Sequence, residues 1–209
     1  MKFASIDIET TGLSQENSDI LQFAVVLDDL KNPKPLEELP RFQAIFMQDN
    51  YKGNPFALSM HSEIFKKIDM AKKKNLEYCP NQDIHFMAIN HLPTALTAFF
   101  LKNGYNQNDK NGNIYINPAG KNLSSFDIPF LKSKIKDWGS IYFLNRSIDP
   151  AILYFDLEND DSLPDMKKCM ERAGIAGEVA HTAIEDALVV VKLLRHKLIN
   201  KECVAEEKR

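Results

Sequence analysis

Lys2-Phe3-Ala4-Ser5-Ile6-Asp7-Ile8-Glu9-Thr10-Thr11-Gly12 is an apolar run that ends abruptly in acids. Lys2 to Ile8 has the length and content of a buried strand, and Gly12 breaks it. Ile20 to Leu27, rich in Val, Leu and Phe, predicts a second strand, and the weak alternation of Arg41 to Met47 predicts a third. Asn32-Pro33-Lys34-Pro35 supplies a turn between them. Three strands joined by short connections predict an antiparallel meander.

Helical spacing dominates further on. Pro55 to Ile68, Leu92 to Leu101, Ser125 to Lys136 and about Thr182 to Ile199 read as helices, and Ile114 to Ala119 and Ile141 to Ile148 as strands. Ala71 to Asn90 follows neither period, and Lys102 to Asn113, with Gly104 and Gly112, reads as a surface loop. This order predicts an α/β fold with a mixed sheet. Residues 1–200 are expected to form one domain, with an insertion, lid or partner-binding arm at about 70–91 and a charged, frayed tail over 201–209.

A chain of 209 residues, 44% hydrophobic and 26% charged, suits a globular domain with a sizeable core. The net charge of −3 argues against extended duplex binding. Clusters such as Lys66-Lys67, Lys72-Lys73-Lys74, Lys132/Lys134/Lys136 and Lys167-Lys168 read chiefly as solvated helix faces. Cys79, Cys169 and Cys203 make no disulfide framework. The apolar runs are too short for a bilayer, and the N-terminus reaches Asp7 too early for a signal peptide. A cytoplasmic protein is expected.

In a strand over residues 3–9, Asp7 and Glu9 project from one face. Two carboxylates there are costly to bury unless a divalent cation joins them, and oxygen ligands suit magnesium or manganese. The plainer reading is two acids facing water. Asp156-Leu157-Glu158 repeats the spacing but is followed by Asn159-Asp160-Asp161 rather than a Thr-Thr-Gly turn, and reads as a solvated loop. Spacing alone therefore decides little.

In Asn122-Leu123-Ser124-Ser125-Phe126-Asp127 a strand gives way to a helix that Ser124 or Ser125 would cap. Asp127 then falls in the first turn, where it either joins a site at the sheet edge or only complements the helix dipole. In His181-Thr182-Ala183-Ile184-Glu185-Asp186, Thr182 and Glu185 fit a capping box. His181 is left on the preceding loop and Asp186 one turn inside a helix anchored by Ile184, Leu188, Val191 and Leu198. His181 alone would be an ordinary loop histidine.

Jointly, Asp7 and Glu9, then Asp127, then His181 with Asp186 resemble the DEDDh 3′→5′ exonuclease family over residues 3 to about 195. That family includes proofreading subunits of bacterial replicative polymerases, oligoribonuclease and ribonuclease T. Gly120-Lys121-Asn122 looks like the oligoribonuclease form, Phe126 matches the aromatic of other members, and Ser147-Ile148-Asp149-Pro150 looks like the strand before the third motif. Asn54 to His61 resembles the segment that meets the terminal nucleotide, although His61 also suits a plain surface helix.

The resemblance implies a ribonuclease H-like α/β fold, a central five-stranded mixed sheet flanked by helices. It implies two divalent cations, Mg2+ or Mn2+, on Asp7, Glu9, Asp127 and Asp186, with His181 taking a proton from the attacking water. It places Thr10, Thr11, Gly12, Leu13, His61, Asn122 and Phe126 at the substrate, Leu13 against the terminal base. The implied substrate is a single-stranded nucleic-acid 3′ end, DNA or RNA, with a nucleoside 5′-monophosphate as product. Some relatives are homodimers or polymerase partners, and no surface here identifies either. The competing readings are an oligoribonuclease-like RNA-processing enzyme, a ribonuclease H-type endonuclease and a non-catalytic adaptor on the same fold. The five filled motif positions oppose the last.

Overall fold

A computed structural model describes residues 1–107, 110–176 and 182–199. Strands β1 (Lys2–Thr10), β2 (Ile20–Asp29) and β3 (Arg41–Phe46) form the antiparallel meander. Helices α1 (Pro55–Met60) and α2 (Ser62–Lys74) follow, then β4 (Tyr78–Cys79), β5 (Ile84–Met87) and α3 (Leu92–Lys102). The remaining elements are β6 (Ile114–Ile116), β7 (Pro118–Ala119), α4 (Asp127–Lys134), β8 (Ile141–Phe143), α5 (Pro150–Leu153), α6 (Met166–Ala173) and α7 (Ala183–Leu198).

The central sheet is mixed and has six strands in the order β4-β5-β3-β2-β1-β7, rather than the expected five. The stretch that follows neither period supplies two of the six, and the strand at Ile141–Phe143 lies outside this sheet. After α2 ends at Asn75, in left-handed conformation (φ 50°), β4 and β5 form a hairpin whose second strand runs parallel to β3. Such short strands leave no period to read. The expected 114–119 strand is divided. Its first part pairs with β8 in a separate parallel pair, and its second lies parallel to β1. Beyond β8 the expected strand persists only as a bridge from Ile148 to Ala119.

Helices cover both faces. Ala4, Ile6 and Ile8 of β1 point to a core with Leu96 and Phe100 of α3 and Ile128, Phe130 and Leu131 of α4. Phe3 and Val26 point to the other side, against Ala187, Val190, Val191 and Leu194 of α7. The buried face of α7 is thus partly rotated from the Ile184–Leu188–Val191–Leu198 stripe: Val191 is fully buried, Ile184 and Leu188 are half-buried, Leu198 is exposed, and small Ala183 and Ala187 face inward. Both faces of α7 carry apolar residues, because α5 and α6 also pack on it through Val189 and Leu193. Periodicity could not tell which neighbour mattered.

Local chemistry sets the helix ends. Asn54 accepts the Phe56 N–H at 2.8 Å and Pro55 starts α1. His61 interrupts the expected 55–68 helix between α1 and α2. Neither Ser124 nor Ser125 caps α4: Phe126 holds that position without a side-chain bond, and the Ser125 hydroxyl donates to the Asn122 carbonyl. Thr182 does occupy the start of α7, but its hydroxyl donates to the Glu185 carboxylate instead of accepting a backbone N–H.

The far end of α7 is held by a buried ion pair. Arg195 donates to both oxygens of Asp28, at 2.8 and 2.6 Å, and the Asp28 carboxylate is fully buried. Removing one member strands the other charge. Arg195→Met is expected to cost about 3–5 kcal/mol in urea unfolding, with Asp28→Leu/Arg195→Met recovering most of it. A single-variant loss below about 1 kcal/mol, the level of an exposed pair, would show that the pair does not anchor the helix.

Candidate active site

Asp7 and Glu9 leave β1 on the face that meets α7, and Asp186 stands in the first turn of α7. One carboxylate oxygen from each of the three lies within 4.8 Å of the others. Asp127 stands beside them as the first residue of α4 and is buried. β7 pairs with β1 only at Ala4 and Ser5. Beyond that point the Ile8 N–H has no strand partner on that side, and the Asp127 carboxylate accepts it at 3.1 Å. Gly120 permits this approach, since a Cβ there would lie 2.7 Å from the Ile6 carbonyl oxygen.

These acids repel one another in a dry place. Burial pushes the Asp7 carboxyl well above the usual carboxylate range, and the charges of Asp127, Glu9 and Asp186 push the same way. Burial, then Asp186 and Asp127, raises Glu9 to about 8. Burial raises Asp127 to about 7, against the lowering effect of the backbone N–H groups of Asp127 itself and Ile8. Hard oxygen donors this close, desolvated and like-charged, fit a divalent cation such as magnesium or manganese.

The cluster opens into a cleft of about 920 Å3. Glu9, Thr10, Gly12 and Leu13 form one wall, Gly53 to Ala57 with Met60 and His61 the other, and Phe126 closes one side. Leu13 is 86% exposed and Phe56 73%, so the mouth presents apolar side chains to solvent. His61 is buried, with Nε2 3.6 Å from Glu9 Oε2. It is a wall residue, not one of a plain surface helix.

Thr11 lies beneath the wall, fully buried. Its hydroxyl accepts the Asp19 N–H at 2.7 Å and donates to the Lys52 carbonyl. The Asn54 N–H donates to the Thr11 carbonyl at 2.8 Å, and the Lys52 N–H to Asp19 Oδ2 at 2.7 Å. The two walls are therefore tied together. Gly53 is required at the tie, where a Cβ would sit 2.4 Å from Thr11 Cβ. Thr10 donates its hydroxyl to the Gly12 carbonyl at 2.9 Å.

The structure thus brings together Asp7, Glu9, Asp127 and Asp186, and lines the cleft with Thr10, Gly12, Leu13, His61 and Phe126. Thr11 and Asn122 do not line it. Asn122 turns the chain in left-handed conformation (φ 54°) and donates its N–H to Asp149. His181 and residues 201–209 lie outside the described residues. Asp19 and Gly53 escape sequence reasoning, whereas Phe56 and Met60 lie in the Asn54 to His61 segment whose resemblance pointed to the terminal nucleotide. Asp156 and Glu158 sit in a turn, as expected of a solvated loop, with Asp156 accepting from Glu158 N–H and Asn159.

A mixed sheet with helices on both faces gives the chain a ribonuclease H-like fold, with acids gathered where β1, α4 and α7 meet. The RNase_T exonuclease family model matches residues 5–194, and the chain belongs to that family. Cell-death related nuclease 4 (CRN-4) aligns with a TM-score of 0.61 at 14% identity, covering 95% of this chain and 64% of its own. S. pombe Pop2p, in its Mg2+- and Mn2+-bound form, aligns at 0.59 and 14% identity over 95% of this chain and 84% of its own. The chain therefore spans less than two thirds of the length of CRN-4. No curated protein sequence matches it.

Glu9 and Asp127 hold protons in the fold up to about pH 8 and about 7, whereas carboxyls in an unfolded chain lose theirs near pH 4. Between those limits the folded state binds more protons, so stability falls as pH rises. A cation that takes the deprotonated carboxylates reverses the loss. Metal-free protein is expected to melt several degrees lower at about pH 8.5 than at about pH 5.5, with Mn2+ restoring Tm mainly at the higher pH. Equal melting at both pH values, with no effect of Mn2+, would contradict the shared desolvated site.

Proposed function

We propose that this chain is a 3′→5′ exonuclease that removes nucleotides one at a time from single-stranded ends. The observation that carries the reading is the carboxylate trio of Asp7, Glu9 and Asp186, with Asp127 beside it, whose Glu9 lines a cleft with apolar walls. Asp7, Glu9, Asp127 and Asp186 hold two divalent cations, Mg2+ or Mn2+, and the fold's likeness to Pop2p, solved with those ions bound, supports this. Bound there, the cations would supply Lewis-acid chemistry for the attacking water and the leaving 3′ oxygen.

The protein's own groups do the rest. His181, just before the helix that carries Asp186, accepts the proton of the attacking water, a task suited to imidazole. Leu13 and Phe126 take the terminal base between apolar surfaces, which tolerate any base. His61, close to Glu9, forms the wall beside the reacting end. The tied walls fix the width of the cleft, and a duplex end must fray to enter it. The product is a nucleoside 5′-monophosphate.

Strands labelled at the 5′ or 3′ end, with Mn2+, test direction and step size together. Label at the 3′ end is expected to appear at once as mononucleotide, and label at the 5′ end only as a ladder of shortening strands. Asp7→Ala is expected to abolish turnover, and His181→Ala to lower it by about 10²–10⁴-fold with an unchanged melting curve. Unchanged turnover in Asp7→Ala, or internal fragments as first products, would overturn the proposal. Matched short DNA and RNA ends choose between a DNA-directed and an oligoribonuclease-like enzyme.

A further inference from the structure

Ser5 is a polar residue in an apolar layer. It sits at the middle of β1, flanked by Val26 of β2 and Ala119 of β7, and is fully buried. Phe3, Val26, Ala119, Ala187 and Val190 make up the core on its side of the sheet. A buried hydroxyl without a partner costs about 1–3 kcal/mol. Here the partner is specific: the Ser5 hydroxyl donates to the Ala187 carbonyl at 2.8 Å. That carbonyl already serves the helix's own ladder to the residue four positions on, so α7 does not need the bond. The bond joins strand to helix.

Its place in the sequence matters. Ser5, Asp7 and Glu9 alternate along one face of β1, and Ala187 directly follows Asp186. The bond therefore fixes α7 against β1 next to the residues whose oxygens lie within 4.8 Å of one another. Ala183 and Ala187, both fully buried, let the helix come close enough for a short serine to reach its backbone. Apolar contacts resist separation but are non-directional, and they leave small sliding and rotation of α7 open. A hydrogen bond to one carbonyl opposes both.

We propose that Ser5 is a positioning residue that sets the reach of Asp186 towards Asp7 and Glu9, and with it the affinity of the site for Mg2+. This rests on the metal-binding reading of those carboxylates. Mg2+ demands near-ideal octahedral geometry at about 2.0–2.1 Å, whereas Ca2+ accepts looser sites. Losing the tether therefore weakens Mg2+ more than Ca2+.

The test compares Ser5→Ala with Val190→Ala, which thins the same core but keeps the tether. Calorimetric titration of the full chain with Mg2+ and with Ca2+, beside melting curves, is the readout. Ser5→Ala is expected to weaken Mg2+ binding about ten-fold, with a smaller loss for Ca2+ and a turnover that recovers at saturating Mg2+. Val190→Ala is expected to melt lower than Ser5→Ala yet bind Mg2+ as the unmodified protein does. Unchanged Mg2+ affinity in Ser5→Ala, an equal loss for both ions, or an equal loss in Val190→Ala would overturn the proposal. If the unmodified protein bound neither ion, the metal reading would fail and the role of Ser5 with it. Binding in the unmodified protein that Ser5→Ala leaves intact would remove only the tether.

Discussion

Like-charged carboxylates crowded into one desolvated spot are the constraint on which this structure depends. Burial raises the proton affinity of Asp7, Glu9 and Asp127, and neighbouring carboxylates raise it further at Asp7 and Glu9. Nothing in the apolar effect would gather them, and their mutual repulsion opposes it. The gathering is done by elements stable for other reasons. β1 is paired on both sides, α4 is seated by Phe130 and Leu131, and α7 is seated by two apolar faces and the Asp28–Arg195 pair. The acids ride on these elements, and a divalent cation turns the repulsion into a binding site.

The same logic explains where the polar links run. Ile8 N–H to Asp127, Ser5 hydroxyl to Ala187 and Thr11 hydroxyl to the Lys52 carbonyl all start from the first strand and its turn. Each reaches a different element that carries part of the site. β1 acts as the reference against which α4, α7 and the α1 wall are set. A directional bond at each of these points holds geometry that non-directional packing would let drift.

The site was more legible in the sequence than the edges of the fold. The central meander showed itself because its strands are long enough for composition and period to speak, and the acids because they stand at element ends in a fixed order. The β4–β5 hairpin was invisible because Tyr78–Cys79 and Ile84–Met87 are shorter than any period. The phase of α7 misled because the helix is apolar on two sides. Thr11 shows another limit: its hydroxyl faces inward and ties two loops, a role only the partners Asp19 and Lys52 reveal.

The proposed end recognition draws on the same strand. The turn that completes the first motif places Leu13 in solvent at the cleft mouth while Thr11, two residues earlier, is bound to the opposite wall. Under the proposed function, two of the cation-holding carboxylates, Asp7 and Glu9, and one residue that meets the terminal base, Leu13, are therefore parts of one short segment. Apolar walls discriminate little between bases, so in the proposed exonuclease selectivity comes from position rather than from base identity. The tie between Thr11 and Lys52 keeps the walls at a width set by one glycine, Gly53, whose missing side chain allows the contact. In the proposed exonuclease, a wider cleft would admit more of the substrate but would loosen the register between the terminal phosphodiester and the carboxylates of β1. Rigidity at the wall and precision at the acids are in this sense one requirement, met by one turn.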